Sequence, residues 1–593
     1  MTYKAPVRDL EFALKESADF GKLEKLFPGV DEETVRAVLE GAGALSADIL
    51  APLNRAGDVA GVRFENGKVI AAPGFAGAYR QFAGGGWNGL SAEEAFGGQG
   101  LPKALEIAVF EMVQAANMAF GLCPMLTLAA IEALSLHGTE AQKALYLPKL
   151  ISGEWTGTMN LTEPQAGSDL GALAMRAESD GTDGWLLTGQ KIFITWGDHD
   201  VADNIVHLVL ARLPDAPPGS RGLTLFLAPK RLVAEDGKLG EANALRAVSI
   251  EHKLGIHASP TCVMAYEGAR AEMVGAPNQG LANMFVMMNA ARLQVGVQGV
   301  GIAERAYQQA LAFSLERAQG RSAWTGTLPS RLFDHPDVRR TLMLVKARIE
   351  AARAICLATA VASDIARLAG NPVDRDAARL REEILTPIAK AWSTDMAVEA
   401  ASMCLQVHGG MGFIEETGAA QHYRDARILP IYEGTNGIQA VDLMGRKLAL
   451  GKGAAVRELV SDIVPTAAEL KSADDGWLHT IGSQLEAGLA AAQAASGYLI
   501  ERRGHAQPDA LAGATPYLRL MGDVVGGWML GKQALAASKN IAAGVGDEAY
   551  WRTRIGLARV FSHQVLAQAP GLAQAVTQGA VDLFRATPES LGA

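Results

Sequence analysis

The fold class is decided by residues 184–229, which read GWLLTGQKIFITWGDHDVADNIVHLVLARLPDAPPGSRGLTLFLAP. Three runs in this stretch, at 184–195, 204–212 and 222–229, are rich in branched and aromatic residues, and Pro, Gly and Asp cluster between them. Short apolar runs bounded by turn residues are typical of β-strands. The sequence on either side has helical spacing instead. We therefore predict a mainly α-helical protein with a central β domain.

Changes in this pattern divide the chain into five predicted parts. They are an N-terminal helical extension (1–45), an N-terminal helical domain (46–155), a central β domain (156–273), a C-terminal helical bundle (274–450) and an extra C-terminal helical domain (451–593). Long helices are predicted at about 282–318, 336–370, 378–408, 453–502 and 513–568. Residues 103–120 are apolar on most faces, which predicts one buried helix followed by a second that ends at Gly138.

The composition is that of a globular protein. Of 593 residues, 49% are hydrophobic and 20% are charged, and the mean hydropathy is +0.10. The net charge of −10 and the lack of a long basic run argue against a nucleic-acid partner. Four isolated cysteines predict neither a disulfide framework nor a zinc site, and they favour a cytoplasmic location. The charged N-terminus predicts no signal peptide, and the apolar stretch 487–500 is too short to span a membrane.

Two further patterns are interpreted as structural. Gly84, Gly86 and Gly89 match the GxGxxG motif by letter, but the motif needs a preceding strand and a following helix that the sequence does not predict. The GVQGVG run at 296–301 lies within a helical pattern, where small residues allow helices to pack closely. The histidines show no metal-ligand spacing, so no metal site is expected.

Three segments carry residues suited to chemistry. Residues 159–169 form a turn with Pro, Gly and Ser that would expose backbone N–H groups to an anionic ligand. In a strand, Phe193 and Thr195 would share a face and offer a flat ring and a hydroxyl to a planar ligand. Glu433 is a lone carboxylate among apolar residues, just before a helix that Thr435 or Asn436 could cap. Taken singly, each segment is better explained as a turn, a β core position or a helix start.

Taken together and in this order, the motifs resemble those of acyl-CoA dehydrogenases. The matching stretches are LTEPQAGSD (161–169), KIFITWG (191–197), RAQGR (317–321), QVHGGMG (406–412) and YRDARILPIYEGTNGIQ (423–439). The long N-terminal extension and the extra C-terminal helical block are similar to the branch that includes 3-methylmercaptopropionyl-CoA dehydrogenases. The resemblance implies a fold with an N-terminal helical domain, a central β-barrel or sandwich and a C-terminal four-helix bundle.

The resemblance also implies an FAD-dependent α,β-desaturation of an acyl-CoA thioester. Glu433 would be the catalytic base that removes the α-proton, and hydride would pass to flavin N5. The residues implied in substrate binding are Ser168, Met288, Asn289, Arg292 and Gly434. Those implied in FAD binding are Leu161, Thr162, Gly167, Ser168, Phe193, Ile194, Thr195, Arg317, Gln319, Gln406, Gly409, Gly410, Thr435 and Asn436. Trp196, Gly437 and Arg321 depart from residues common in the family.

Several questions stay open at this point. The acyl group could be 3-methylmercaptopropionyl or a short-, medium- or long-chain fatty acyl group. The electron acceptor could be an electron-transfer flavoprotein, which we expect, or oxygen, as in an acyl-CoA oxidase. The alternative from another functional class is a helical scaffold protein that has no catalytic activity. The extra C-terminal helices would cover the surface where a second pair of subunits docks in tetrameric relatives, so we expect a homodimer.

Overall fold

The computed structural model describes residues 3–182 and 184–593. The N-terminal part consists of α1 (Val7–Glu16), α2 (Glu32–Leu45), α3 (Ala51–Ala60), the hairpin β1 (Arg63–Glu65) and β2 (Lys68–Ile70), α4 (Phe75–Gly84), α5 (Lys103–Ala116), α6 (Met118–His137) and α7 (Glu140–Ile151). The Gly84–Gly89 segment follows helix α4 and not a strand, as expected from the sequence.

The buried apolar stretch 103–120 is two helices and not the predicted one. Every residue of α5 is buried, and the break falls at Asn117. Asn117 has extended backbone, and its side chain accepts a hydrogen bond from the backbone N–H of Phe120 and so starts α6. Helix α6 is long and apolar enough to cross a membrane, but 83% of its most apolar window is buried inside the protein. It is therefore a core helix.

The central part is a β structure, as predicted. Its strands are β3 (Trp155–Asn160), β4 (Arg176–Ser179), β5 (Trp185–Thr195), β6 (Asn204–Arg212), β7 (Leu223–Pro229), β8 (Arg231–Val233), β9 (Leu239–Ala242), β10 (Leu245–Ile250) and β11 (Thr261–Val274). Seven of them form one sheet in the order β10-β11-β5-β4-β6-β3, and β7 pairs with both β11 and β6. Strand β7 thereby closes the sheet into a small barrel.

The bundle that follows contains three long helices. They are α8 (Gly280–Glu316), α9 (Pro336–Leu368) and α10 (Pro372–Val407), and the shorter α11 (Ala419–Ala426) and α12 (Asn436–Gly445) complete it. A Cβ atom at Gly296 would lie 2.6 Å from the carbonyl oxygen of Ala389, and one at Gly299 would lie 2.7 Å from that of Ser393. The close approach of α8 and α10 therefore needs these glycines, which confirms the interpretation of the GVQGVG run.

The C-terminal block is entirely helical. It comprises α13 (Ala454–Ser472), α14 (Gly476–Arg502), α15 (Gln507–Ala512), α16 (Ala514–Ala542), α17 (Glu548–Gln564) and α18 (Ala569–Gln578). The two predicted helices 453–502 and 513–568 are each interrupted, because Ala473 and Asp547 leave helical geometry. Helix α16 packs against α9, α10 and α12 of the bundle. The boundaries of the five predicted parts stay a prediction.

A buried ion cluster joins these parts. Arg353 is fully buried and pairs with Glu111 at 2.5 Å, with Glu350 at 2.6 Å and with Glu304 at 3.2 Å. The complete cluster is Asp9, Glu111, Glu304, Lys346, Glu350, Arg353 and Arg554. Its members come from α1, α5, α8, α9 and α17. The cluster therefore fixes the N-terminal extension and the C-terminal block to the central helices.

Candidate active site

Glu433 lies in the short loop that connects α11 to α12. The loop is closed by a hydrogen bond of 3.0 Å from the backbone N–H of Asn436 to the carbonyl oxygen of Pro430. Thr435 caps α12 by accepting from the N–H of Ile438 at 3.2 Å, as the sequence predicted for Thr435 or Asn436. Glu433 and Gly434 have φ values of +56° and +84°. A glutamate with positive φ is uncommon, and such strained residues cluster at functional sites.

Gln439 supports this strained turn from inside α12. It is fully buried, and its side-chain amide nitrogen donates to the carbonyl oxygens of Glu433 and Gly434, both at 3.4 Å. A Cβ atom at Gly434 would lie 2.8 Å from the same nitrogen. Only glycine therefore fits next to Glu433 without displacing Gln439.

The carboxyl of Glu433 has the protonation behaviour of a general base. Burial raises its pKa to about 7, while the charges of Arg292 and Lys390 oppose that rise. A base whose pKa lies near the working pH transfers protons efficiently. Of its apolar neighbours in the sequence, Ile431 is 49% exposed and contributes little to this desolvation. Tyr432 is turned inward instead, since its hydroxyl donates to Gln298.

Arg292 lies beside this turn, as the resemblance implied. It is 5% exposed, and its Nη2 atom would be 3.6 Å from a Cβ atom at Gly434. Its Nη1 atom donates to Oδ1 of Asn289 at 3.1 Å. Within residues 3–182 and 184–593, Nε of Arg292 and Oε1 of Gln439 are buried without a hydrogen-bond partner. Two polar atoms next to Glu433 are therefore available to a ligand. The predicted substrate residue Met288 precedes Asn289 on α8 and is also buried.

A second set of predicted residues surrounds the end of strand β5. Phe193 is 58% exposed with φ +59°, whereas Ile194 is 2% exposed. The pairing of β5 with β11 shifts between Lys191 and Ile194, so Phe193 lies within a β-bulge. Thr195 is half-buried, and because the register shift interrupts the alternation of the strand, the shared face of Phe193 and Thr195 stays a prediction. Because the side chain of Ile194 is in the barrel core, only its backbone could contact a ligand.

The turn predicted to bind an anion is tied to the same strand. Lys191 is fully buried, and its Nζ atom donates to the carbonyl oxygen of Leu161 at 2.9 Å and to Glu163 at 2.8 Å. Glu163 also accepts from the backbone N–H groups of Ala174 and Met175. This fixes the turn beside Phe193, with Leu161 and Thr162 half-buried and Gly167 and Ser168 exposed. An exposed ring next to a turn of exposed backbone fits a planar, phosphorylated cofactor such as the predicted FAD.

A third set of predicted residues lies far from Glu433 along the bundle. Arg317, Gln319, Gln406, Gly409 and Gly410 are all exposed. The ends of α8 and α10 meet where the rings of Phe313 and His408 lie 4.7 Å apart. At 1.5 Å per residue, Arg317 is about 37 Å from Arg292 along α8. The structure therefore brings together the ends of α8 and α10, near which these residues lie, and separates them from the Glu433 loop.

Sequence reasoning missed Lys390, Gln298 and Gln439. Lys390 is fully buried in α10, and burial lowers its pKa to about 7. Its signal in the sequence is a lysine inside the otherwise apolar helical run 384–392. Asn436 was predicted to bind FAD, but its side chain is hydrogen-bonded to residues of α10, as described below.

Family models match almost the whole chain. The N-terminal domain of acyl-CoA dehydrogenases matches residues 37–154, the middle domain matches 158–269 and the C-terminal domain matches 278–448. A further model, acetyl-CoA dehydrogenase C-terminal like, matches residues 456–587.

Individual relatives extend over the same length. A 3-methylmercaptopropionyl-CoA dehydrogenase of Ruegeria pomeroyi is 47% identical over 96% of this chain and 97% of its own. A broad-specificity linear acyl-CoA dehydrogenase of Mycobacterium tuberculosis is 33% identical over 95% of both chains. The crystal structure of an acyl-CoA dehydrogenase complexed with FAD from Bacillus anthracis is similar in fold, with a TM-score of 0.75 at 20% identity over 95% of this chain and 91% of its own.

Proposed function

We propose a substrate and a mechanism for this chain, which belongs to the acyl-CoA dehydrogenase family and is an FAD-dependent oxidoreductase of acyl-CoA. The substrate is a short thioester, 3-methylmercaptopropionyl-CoA, and the product is the corresponding 2,3-unsaturated acyl-CoA. The identity of 47% to a dehydrogenase named for this substrate supports the choice. The observation that carries the mechanism is Glu433, a half-buried carboxyl beside Arg292 whose pKa is raised to about 7 by desolvation.

The residues of this chain would act on the thioester as follows. Glu433 takes the proton from the α carbon, and the electron pair of that C–H bond forms the new double bond. FAD, when bound, supplies the acceptor for the hydride that leaves the β carbon. The backbone N–H of Glu433, by resemblance to the family, donates to the thioester carbonyl. Arg292 adds a positive charge beside the enolate-like oxygen, and preorganised groups of this kind are among the larger contributors to catalysis.

The test is an anaerobic titration of the FAD-loaded enzyme with a panel of CoA thioesters. We expect 3-methylmercaptopropionyl-CoA to bleach the flavin fastest and to yield a product that lacks two hydrogen atoms. Glu433→Gln should retain FAD and lose about 10²–10⁴-fold in rate, the usual contribution of a general base. A faster reaction with a fatty acyl-CoA would replace the substrate proposal, and normal turnover of Glu433→Gln would reject the mechanism.

The same experiment shows whether the electron acceptor is an electron-transfer flavoprotein or oxygen. We propose that an electron-transfer flavoprotein reoxidises the enzyme. Slow reoxidation in air and fast reoxidation by an added electron-transfer flavoprotein are the expected results. Rapid formation of hydrogen peroxide in air would identify an oxidase.

We also propose a homodimer in which the exposed set at Arg317 and Gln406 contacts FAD of the second copy. The separation of about 37 Å between Arg317 and Arg292 supports this arrangement. Light scattering should give the mass of a dimer, and a stable tetramer would contradict it. Arg317→Ala should weaken FAD binding and leave the structure of the Glu433 loop unchanged. An unchanged affinity for FAD would contradict a site shared between two copies.

A further inference from the structure

Lys390 connects both ends of the loop that carries Glu433. Its side chain enters from α10 and is fully buried. Its Nζ atom donates to the carbonyl oxygen of Leu429 at 2.9 Å, just before the segment 430–435 that carries Glu433. The same atom donates to Oδ1 of Asn436 at 2.8 Å, just after it. One ammonium group thus joins the start and the end of the strained segment.

Asn436 is held so that its oxygen faces Lys390. The nitrogen of its side-chain amide lies 2.7 Å from Oδ1 of Asp395, 2.9 Å from Oγ1 of Thr394 and 3.1 Å from the carbonyl oxygen of Ala391. These three acceptors lie on α10, within five residues of Lys390. Reversing the amide would place its nitrogen against an ammonium group. The orientation of the amide is therefore fixed by its surroundings.

Charged groups approach Glu433 from three helices. Arg292 comes from α8 and Lys390 from α10, and both positive charges favour the carboxylate form of Glu433. Beyond them lie Asp395 on α10, Asp442 on α12, and Arg446 and Lys447 directly after α12, which act on Arg292 or Lys390. Of the two cations that act on Glu433, Lys390 is the one whose ammonium bonds both ends of the loop.

We propose that Lys390 is a positioning residue for the reaction: it clamps the Glu433 loop in its strained conformation and places a positive charge beside the carboxylate. The inference rests on the proposed role of Glu433 as base. Asn436 is the second half of the clamp. A lysine is suited to both tasks because its ammonium group supplies several donors and a charge at one point.

The experiment compares variants of the FAD-loaded enzyme. Lys390→Met removes the charge and both hydrogen bonds at nearly constant volume, and Lys390→Arg restores a charge. Lys447→Met is the matched control, since Lys447 is also a buried lysine but is paired with Glu383 and acts on Arg292 rather than on Glu433. The readouts are FAD content, kcat and KM separately, and the pH profile of kcat/KM.

The expected direction of the shift in the pH profile follows from the role of Glu433 as the base. Activity rises with pH as Glu433 ionises, and loss of a neighbouring cation makes ionisation harder. We expect the midpoint of the profile to move up by about one pH unit in Lys390→Met, so that kcat/KM at pH 7 falls about fivefold from a wild-type midpoint near 7. KM and FAD content should change little, Lys390→Arg should return the midpoint toward that of the wild type, and Lys447→Met should leave it in place. An unchanged midpoint in Lys390→Met, or an equal shift in Lys447→Met, would overturn the proposal.

A second measurement does not depend on turnover. The infrared band of the protonated Glu433 carboxyl, assigned by its loss in Glu433→Gln, can be titrated directly in each variant. The same upward shift is expected there, and its absence contradicts the clamp even if no tested thioester is a substrate. If Lys390→Met fails to fold, Lys390→Gln keeps a donor for the loop while removing the charge, and the same shift is required of it.

Discussion

The indole N–H of Trp392 donates a hydrogen bond of 2.9 Å to Oδ1 of Asp523, across the junction between α10 and α16. Both residues are buried, and a Cβ atom at the adjacent Gly522 would lie 2.2 Å from the Trp392 ring. Helix α10 also carries Lys390. The C-terminal block is therefore packed directly against the helix that supports the Glu433 loop.

This junction should make stability depend on pH. Burial raises the pKa of Asp523 to about 7. Between about pH 4 and pH 7, Asp523 is protonated in the folded state and ionised in the unfolded state. The free energy of unfolding therefore falls progressively as the pH rises through this range. Asp523→Asn cannot ionise and should raise the free energy of unfolding at pH 8 by on the order of 4 kcal/mol, with a higher Tm there and no gain at pH 4. Asp376→Asn, an exposed change on the same α10, is the control. A larger gain at pH 4 than at pH 8 would contradict the assignment.

The attachment of the C-terminal block should depend on one arginine of α17. Arg554 is 5% exposed and pairs with Glu350 at 2.9 Å and with Asp9. Arg554→Met leaves both carboxylates without this partner, and breaking a buried pair costs about 3–5 kcal/mol. Arg552→Met removes an exposed pair on the same helix and should cost less than about 1 kcal/mol. Urea unfolding measures both, and equal losses would show that the cluster does not hold the block.

Substitution by alanine should impair stability and activity at Gly434 but not at Gly437. Gly434→Ala forces a side chain into a position with φ +84° and 2.8 Å from Gln439. We expect a loss of about 1–2 kcal/mol in stability and at least a tenfold fall in kcat/KM, because Glu433 is displaced. In α12, Gly437→Ala has room and should be neutral or stabilise by about 0.5–1 kcal/mol. Steady-state kinetics and thermal unfolding test the pair, and full activity of Gly434→Ala would contradict the strained turn.

Phe193 should contribute to cofactor affinity more than to folding. Its ring is 58% exposed and therefore gives little core packing in the isolated chain. Phe193→Ala should weaken FAD binding about 3–10-fold, as expected for loss of one aromatic contact, while Tm of the FAD-free protein changes little. Phe584→Ala removes a ring that is 64% exposed in the C-terminal block and serves as control. Fluorescence titration with FAD measures both, and equal affinities would exclude stacking at Phe193.

Local patterns were sufficient for most of the architecture. The β runs at 184–229 and the long helical periods predicted the β barrel and the bundle, because burial on one or both faces leaves a clear periodicity. The helix break at Asn117 was missed, since its cap depends on a side chain that also fits a helix interior. The breaks at Ala473 and Asp547 were missed because apolar spacing continues on both sides of each turn.

The candidate site was predicted only where its residues lie in short motifs. Glu433, Gly434 and Thr435 are consecutive, and their roles in the loop could be anticipated. Lys390 could not be, because its partners Leu429 and Asn436 are 39 and 46 residues away and meet it only through packing of the bundle. The positive φ of Phe193 arises from a bulge against β11, which the sequence of β5 alone does not encode.

Asp9 and Arg554 are separated by 545 residues, so nearly the whole polypeptide must be synthesised before they can meet. At about 5–20 residues per second, Asp9 leaves the ribosome roughly 30–110 s before its partner. During that interval a nascent chain has carboxylates of the cluster that lack one of their cations. Completion of the tertiary structure must therefore wait for the last helices, and premature termination upstream of residue 554 would release a product that quality-control proteases can recognise.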